Sequence, residues 1–315
     1  MIWLSRIPEL LANGPLVLVS VAGVRGSAPR EPGASMLVGQ DFTADTIGGG
    51  HLEWQAIAEA RLLLQAEACQ PLLRRYPLAA SLGQCCGGVV WLAFEVLHAG
   101  QLPVWQAVSQ RHREGLPQVR QLDGRAPASS WPESRGEGRL DLPATEDGPD
   151  WCLWQPLQPP RFCLSVYGAG HVGAALVNLL APLEMRLRWC DPRAELMVRA
   201  PASVECCVME TPEEVVAQAS AHSAHVVLTH EHALDLRLAE AILRRDDFRW
   251  FGLIGSQSKR TRFRQQLAAR GIAPGQIERM ICPIGVTGIR DKAPQAIAIA
   301  VATQVLQLRE ISIPA

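Results

Sequence analysis

The sequence predicts an α/β protein: a C-terminal Rossmann-like doubly wound parallel sheet preceded by an N-terminal α+β domain. Three observations carry this. From residue 161 onward, apolar strand-like runs alternate with segments of helical period, an order that folds as a parallel sheet covered by helices. The first such run, residues 162–167, passes directly into Gly168-Ala169-Gly170-His171-Val172-Gly173, the G-x-G-x-x-G spacing of a strand-to-helix turn. Before residue 160 the alternation is absent, and residues 122–150 carry Pro, Gly, Ser and acids without a sustained period.

The N-terminal elements follow in order. Apolar spacing predicts a helix over 3–12 and a strand over 16–24, then a loop rich in Gly, Pro and Arg over 25–33. A strand near 34–39 precedes Gly48-Gly49-Gly50, and helical spacing over 51–67 follows it. Strands near 72–78 and 88–97 flank Gly83-Gln84-Cys85-Cys86-Gly87-Gly88. Residues 111–150 read as irregular, with short hairpins, and 151–154 as a last strand. Three prolines within 155–160 discourage helix and central strand alike and mark a linker. The domains are therefore 1–155 and 161–315. The N-terminal one reads as too thin to cover its own sheet, which points to a large shared interface or a homodimer. In the C-terminal domain, strands are expected at 162–167, 185–190, 204–208, 225–229 and 249–254. Helices are expected at 171–181, 212–220, 233–245, 257–270 and 294–309.

Composition bounds the function. With 315 residues the chain suits two domains, and 48% hydrophobic against 19% charged residues suits buried cores. A net charge of −1 argues against a nucleic-acid footprint, and no apolar run approaches the roughly 18 residues of a membrane span. Nine cysteines without a Cys-x-x-Cys and without a secretory leader fit reduced thiols in the cytoplasm.

Several segments carry candidate chemistry, each with a plainer reading beside it. In the glycine turn, Gly168 allows the bend, Gly170 lets a phosphate approach the backbone, and Gly173 permits close helix–strand packing. The helix start at His171 offers unpaired N–H groups to an anion. Asp191, 23 residues beyond Gly168, stands where a ribose-binding carboxylate would sit. The alternative is a turn that binds nothing. Residues 229–235 (Thr-His-Glu-His-Ala-Leu-Asp) follow the fourth strand, where such sheets bind ligands; His230 and its neighbours would ligate metal or move protons, or simply form a polar loop. Ser256 opens a basic helix whose first-turn cations oppose the helix dipole unless an anion relieves them; the plainer reading is a solvated basic face. Gly48, Gly49 and Gly50 before a helix form a second anion cradle with Arg25 and Arg30, or a simple turn. Cys86, in a glycine-flanked turn, is an activated thiol or an inert one.

Taken together, these segments resemble the XdhC/CoxI family of xanthine dehydrogenase accessory proteins, over nearly the whole chain. The N-terminal matches are Gly26-Ser27-Ala28-Pro29-Arg30 with Pro32-Gly33-Ala34, Ile47-Gly48-Gly49-Gly50 with Glu53, and Cys86-Gly87-Gly88. The C-terminal matches are residues 168–173 and 229–235, Ile254-Gly255-Ser256 with Lys259-Arg260, and Pro283-Ile284-Gly285. Residues 84–88 and 285–294 resemble the branch tied to xanthine dehydrogenase itself.

The resemblance implies a carrier rather than an enzyme with turnover. Such a carrier binds molybdenum cofactor (molybdopterin), assists exchange of an oxo ligand for sulfur by a partner cysteine desulfurase, and delivers the product to the molybdenum subunit of apo-xanthine dehydrogenase, a step of purine catabolism. Soft metals favour thiolates, so Cys86 is the expected molybdenum contact and Cys85 the lesser one. The expected ligand lies between the domains, with the Rossmann turn holding the cofactor's phosphate, a nucleotide, or nothing. The competing function is an NAD(P)-dependent oxidoreductase using residues 168–173 and Asp191. A third is a cysteine-based redox or persulfide carrier at Cys86.

Overall fold

The computed structural model describes residues 2–78, 87–133, 138–142 and 149–312. They divide into two compact units, Met1–Pro159 and Pro160–Ala315. Among the described residues no helix is long and apolar enough to cross a membrane.

In the first unit, α1 (Ile2–Asn13) leads into β1 (Leu16–Arg25), and β2 (Ser35–Val38) and β3 (Thr43–Asp45) follow. The helix α2 (Gly50–Gln65) then precedes β4 (Leu72–Pro77) and β5 (Val89–Leu97). These strands form an antiparallel sheet in the order β3-β2-β1-β5-β4. Side chains on a strand alternate between faces, and β1 shows it. Val17, Val19 and Val21 join the core beneath α2, while Leu16 and Leu18 join the core of α1.

The expectation of a thin domain fails at residues 102–157. They fold into a helix α3 (Leu102–Arg113) and a three-stranded antiparallel sheet. Its strands are β6 (Gln118–Asp123), β7 (Arg139–Asp141) and β8 (Cys152–Leu157), with β8 in the middle. Trp105 and Val108 of α3 close the α1 core, and Leu122, Trp151 and Leu153 pack on Ala22 and Ala93 of the large sheet. Both faces of that sheet are thus covered within its own unit. β8 also runs past the expected strand end at 154, with Pro156 opposite Val119 and Leu157 fully buried.

A polar knot joins the two sheets. Arg120 is fully buried and donates to Glu95 Oε2 at 2.5 Å, Gln155 Oε1 at 2.7 Å, Ser129 Oγ at 2.8 Å and Ser20 Oγ at 3.2 Å. Glu95 accepts in addition from the Ser129 N–H and hydroxyl. The alternative to such pairing is a buried charge without a partner, which is strongly destabilising.

The second unit holds the expected parallel sheet. Its strands are β9 (Cys163–Tyr167), β10 (Arg186–Asp191), β11 (Val204–Val208), β12 (Ala224–Val227), β13 (Trp250–Leu253) and β14 (Met280–Ile281). All pairings are parallel, in the order β11-β10-β9-β12-β13-β14. Renumbered within the unit this is 3-2-1-4-5-6, the doubly wound order with its switch point between β9 and β12. On one face, α4 (His171–Leu180) and α9 (Pro294–Ser312) pack against Leu164, Val166, Trp189 and Val226. On the other, α5 (Pro212–Ala217), α6 (His232–Arg245), α7 (Gln257–Ala269) and α8 (Pro274–Glu278) cover Tyr167, Cys190, Val227 and Phe251. The short elements β14 and α8 were not expected.

Candidate functional site

At the switch point, the turn after β9 and the turn after β12 lie side by side. Their helices leave toward opposite faces, which opens a crevice at the carboxyl ends of the strands, the usual ligand position in such sheets. Gly168 has φ of +117°, and a Cβ there would stand 2.6 Å from Leu228 O. A Cβ on Gly173 would stand 2.0 Å from Gly168 O. These two glycines are therefore demanded by backbone proximity. Gly170 differs: a Cβ there meets nothing within 4 Å, and the residue is exposed. It precedes α4, whose first intrahelical acceptor is Gly170 O, taken by the Ala174 N–H. The N–H groups of His171, Val172 and Gly173 thus have no acceptor within the helix and give its start a partial positive charge.

Asp191 takes a role the sequence did not assign. It is 1% exposed, and Oδ2 accepts from the Ala169 N–H at 2.6 Å and from Arg193 Nη2 at 3.0 Å. Oδ1 accepts from the Arg193 N–H and Nε, both at 2.9 Å. Burial pushes this carboxyl up, but the hydrogen bonds from Arg193 and the Ala169 N–H outweigh it, so the group sits below its ordinary value. A ribose hydroxyl would have to displace these bonds. Asp191 instead ties the end of β10 to the glycine turn, and Trp189 Nε1 donating to Gly168 O at 3.0 Å ties it again.

On the other side of the switch point, Thr229 Oγ1 donates to Asp235 Oδ1 at 2.6 Å. Asp235, fully buried, also pairs with Lys259, whose ammonium donates to Ile254 O at 2.9 Å. Lys259 is therefore committed to the turn below it. Ser256 caps α7, its Oγ accepting from the Lys259 N–H at 3.3 Å. His230 is exposed, between Thr229 and Glu231. The structure thus gathers residues 168–173, Asp191, Thr229, His230 and Ser256 at one edge of the sheet.

In the first unit, the loop after β1 meets two other predicted segments. A Cβ on Gly88 would stand 2.3 Å from Ser27 O and 2.7 Å from Arg25 O, and one on Gly48 would stand 2.4 Å from Pro29 Cβ. Arg25 is exposed, and Arg30 lies 3.6 Å from Glu31. The Gly48–Gly50 turn already holds an anion of its own. Glu53 Oε2 accepts from the N–H groups of Ile47 at 2.9 Å and Gly49 at 3.0 Å, and from Thr46 Oγ1 at 2.5 Å. The Gly48 N–H goes to Thr46 Oγ1. The cradle expected for an external phosphate is thus filled by the carboxylate four residues on.

Cys85 and Cys86 lie outside the described residues; Gly88, two residues past Cys86, sits against the Arg25 loop, whereas Gly87 is exposed with nothing within 4 Å of an added Cβ. Among the described residues, no three His, Cys, Asp or Glu side chains form a metal-binding group. Sequence reasoning missed Ala169 and Arg193, the partners of Asp191. The Asp-x-Arg spacing is the only local trace of that arrangement.

Two domain families match the chain. Residues 164–305 match the XdhC Rossmann domain, and residues 10–77 match the XdhC and CoxI family. The uncharacterized protein YqeB of Escherichia coli (strain K12) is 24% identical over 304 residues, spanning 94% of this chain but 44% of YqeB. This chain therefore covers less than half the length of that relative. A crystal structure described as a xanthine dehydrogenase from Bacillus halodurans superposes with a TM-score of 0.69 over 99% of this chain and 97% of that one. At 19% identity it shows a shared fold. With both domains present in order and the turn of the Rossmann domain intact, the chain belongs to the XdhC/CoxI family.

Proposed function

We propose that this protein is a carrier and maturation factor for the molybdenum cofactor. It binds the cofactor, assists its sulfuration with a cysteine desulfurase, and delivers it in the cytoplasm to the molybdenum subunit of apo-xanthine dehydrogenase. Family membership supports the accessory role toward xanthine dehydrogenase. The observation that carries the ligand class is the contrast at the switch point. The start of α4 is open at Gly170, whereas the carboxylate of Asp191 is committed to Ala169 and Arg193. That favours a ligand gripped by its phosphate over a dinucleotide whose ribose Asp191 would read.

The molybdenum cofactor is a pterin dithiolene with a terminal phosphate, and it supplies the metal whose oxo ligand is replaced by sulfur. In this reading the N–H groups of His171, Val172 and Gly173 hold phosphate oxygens, with His230 and Ser256 at the same edge. Arg25 and Arg30 stand on the loop packed against Gly88, two residues from Cys86. The thiolate of Cys86 is the assigned soft ligand, with Cys85 the alternative.

The test is metal and pterin analysis of the protein purified without oxygen from a host that makes the cofactor. Molybdenum and pterin in equal amounts are expected, with a loss of tenfold or more in Cys86→Ala. Saturable NADH binding by fluorescence titration, with no pterin retained, would replace this reading by the oxidoreductase one. A sulfur adduct on Cys86 without pterin would replace it by a persulfide carrier.

A further inference from the structure

Away from the glycine turn, the parallel register of β10 and β11 sets two cysteines directly opposite each other: Cys190 faces Cys207. Neighbouring strands run about 4.8 Å apart, and directly opposed residues share a face. Their Cα atoms therefore fall inside the roughly 4.4–6.8 Å window of a disulfide. Cys190 is fully buried beneath α5 and α6, whereas Cys207 is half-buried on the edge strand of the sheet. The two thiols shift each other's ionisation across this pair, while the Cys207 S–H is directed at Val208 O, 3.9 Å away. Arg188, two residues before Cys190, donates from Nη2 to Cys207 Sγ at 3.4 Å. It is held there by bonds to Val215 O at 3.0 Å and Gln218 Oε1 at 2.8 Å. One sulfur thus has solvent access and a cation, and the other stands behind it.

We propose that Cys207 and Cys190 form a redox-active dithiol, with Cys207 the attacking thiolate and Cys190 the resolving thiol, and with peroxides as the oxidant class. In the first step the Cys207 thiolate attacks one oxygen of hydrogen peroxide. The O–O bond breaks, an S–O bond forms, and hydroxide leaves. In the second step the Cys190 sulfur attacks Cys207. The S–O bond breaks, the S–S bond forms, and the departing hydroxide takes the Cys190 proton as water. Two thiols lose two electrons and one peroxide gains them.

The surroundings support the division of roles. The neighbouring Cys190 thiol lowers the Cys207 thiol more than burial raises it, and Arg188 lowers it further, to about 6. The same neighbour interaction, with burial, pushes Cys190 up. The other ionisable groups around the pair are Glu205 and Cys206 on β11, Tyr167 on β9, and Arg245 of α6, which acts on Tyr167. Glu205 opposes the thiolate and does not outweigh Arg188.

The test treats the reduced full-length protein with one equivalent of hydrogen peroxide and maps disulfides by peptide mass spectrometry. A single link between residues 190 and 207 is expected, reversed by dithiothreitol, kept in Cys206→Ser and absent in Cys207→Ser. Alkylation of Cys207 by iodoacetamide, followed from pH 5 to 9, should have its midpoint near 6, and Arg188→Gln should raise that midpoint. At pH 7 the wild-type rate is then about nine-tenths of its plateau, against roughly a thirtieth for a free thiol. A first disulfide at any other pair, a link surviving Cys207→Ser, or an alkylation midpoint at the ordinary thiol value of about 8.5 would overturn the proposal.

Discussion

The carboxylate of Asp191 accepts the backbone N–H of Ala169 at 2.6 Å, although 22 residues separate them. One side chain at the end of β10 thereby sets the conformation of the turn that opens α4. Asp191→Ala removes that acceptor and strands a buried N–H, at a cost of about 1–3 kcal/mol. The pH dependence has a definite sign. The folded carboxyl lies below its unfolded value, so its contribution is full above about pH 4 and is lost as pH falls through the ordinary carboxylate range. The melting-temperature gap between wild type and Asp191→Asn should therefore be widest at neutral pH and shrink toward pH 3.

Gly170 and Gly173 should separate binding from folding. Gly170 has φ −71° and ψ −176°, a conformation open to any residue, with space around it. Aspartate there is a good helix cap whose carboxylate would occupy the α4 N–H groups. Gly170→Asp should melt within a degree or two of wild type and weaken pyrophosphate binding at least tenfold by calorimetry. Gly173→Ala drives a methyl against Gly168 O and should cost roughly 3 kcal/mol or more in urea unfolding.

The Arg120–Glu95 pair should show strong coupling. With side chains only 0% and 1% exposed, Arg120→Met leaves a buried carboxylate unpaired, at about 3–5 kcal/mol. The double variant Arg120→Met, Glu95→Leu should recover part of that loss. Additive losses across the cycle would contradict a direct interaction.

His225 should make the second unit sensitive to mild acid. Its ring contacts Tyr167 Oη at 3.0 Å and Ser223 Oγ at 3.2 Å, and burial lowers it from 6.5 to about 4. The unfolded chain takes up the proton first, so stability present above pH 6.5 drains as pH falls toward 4, by ~3 kcal/mol. Unfolding of His225→Asn should start from a lower stability at pH 7 and show a shallower decline over that range.

Apart from the short β14 and α8, the strands and helices of the second unit, the G-x-G-x-x-G turn and the α1–β2 segment were legible because their signals are local. Apolar period, glycine spacing and prolines act within a few residues of themselves. The helix α3 was not read, although Pro103 near its start and the basic run Arg111-His112-Arg113 in its last turn are helix signals. The small sheet was harder still: Arg120, Glu95, Gln155 and Ser20 look like surface residues, and only distant pairing makes them a core.

The same division runs through the candidate site. Sequence alone determined that a strand ends in a phosphate-suited turn, and that Asp191 and residues 229–235 follow strands whose carboxyl ends face ligands. Tertiary structure decided that Asp191 serves the turn, that Glu53 fills the Gly48–Gly50 cradle, and that Cys190 opposes Cys207. The Glu53 bonds span only four to seven residues, but register and long-range hydrogen bonds set the other two partnerships, and these depend on which strands become neighbours, a property no short window of residues carries.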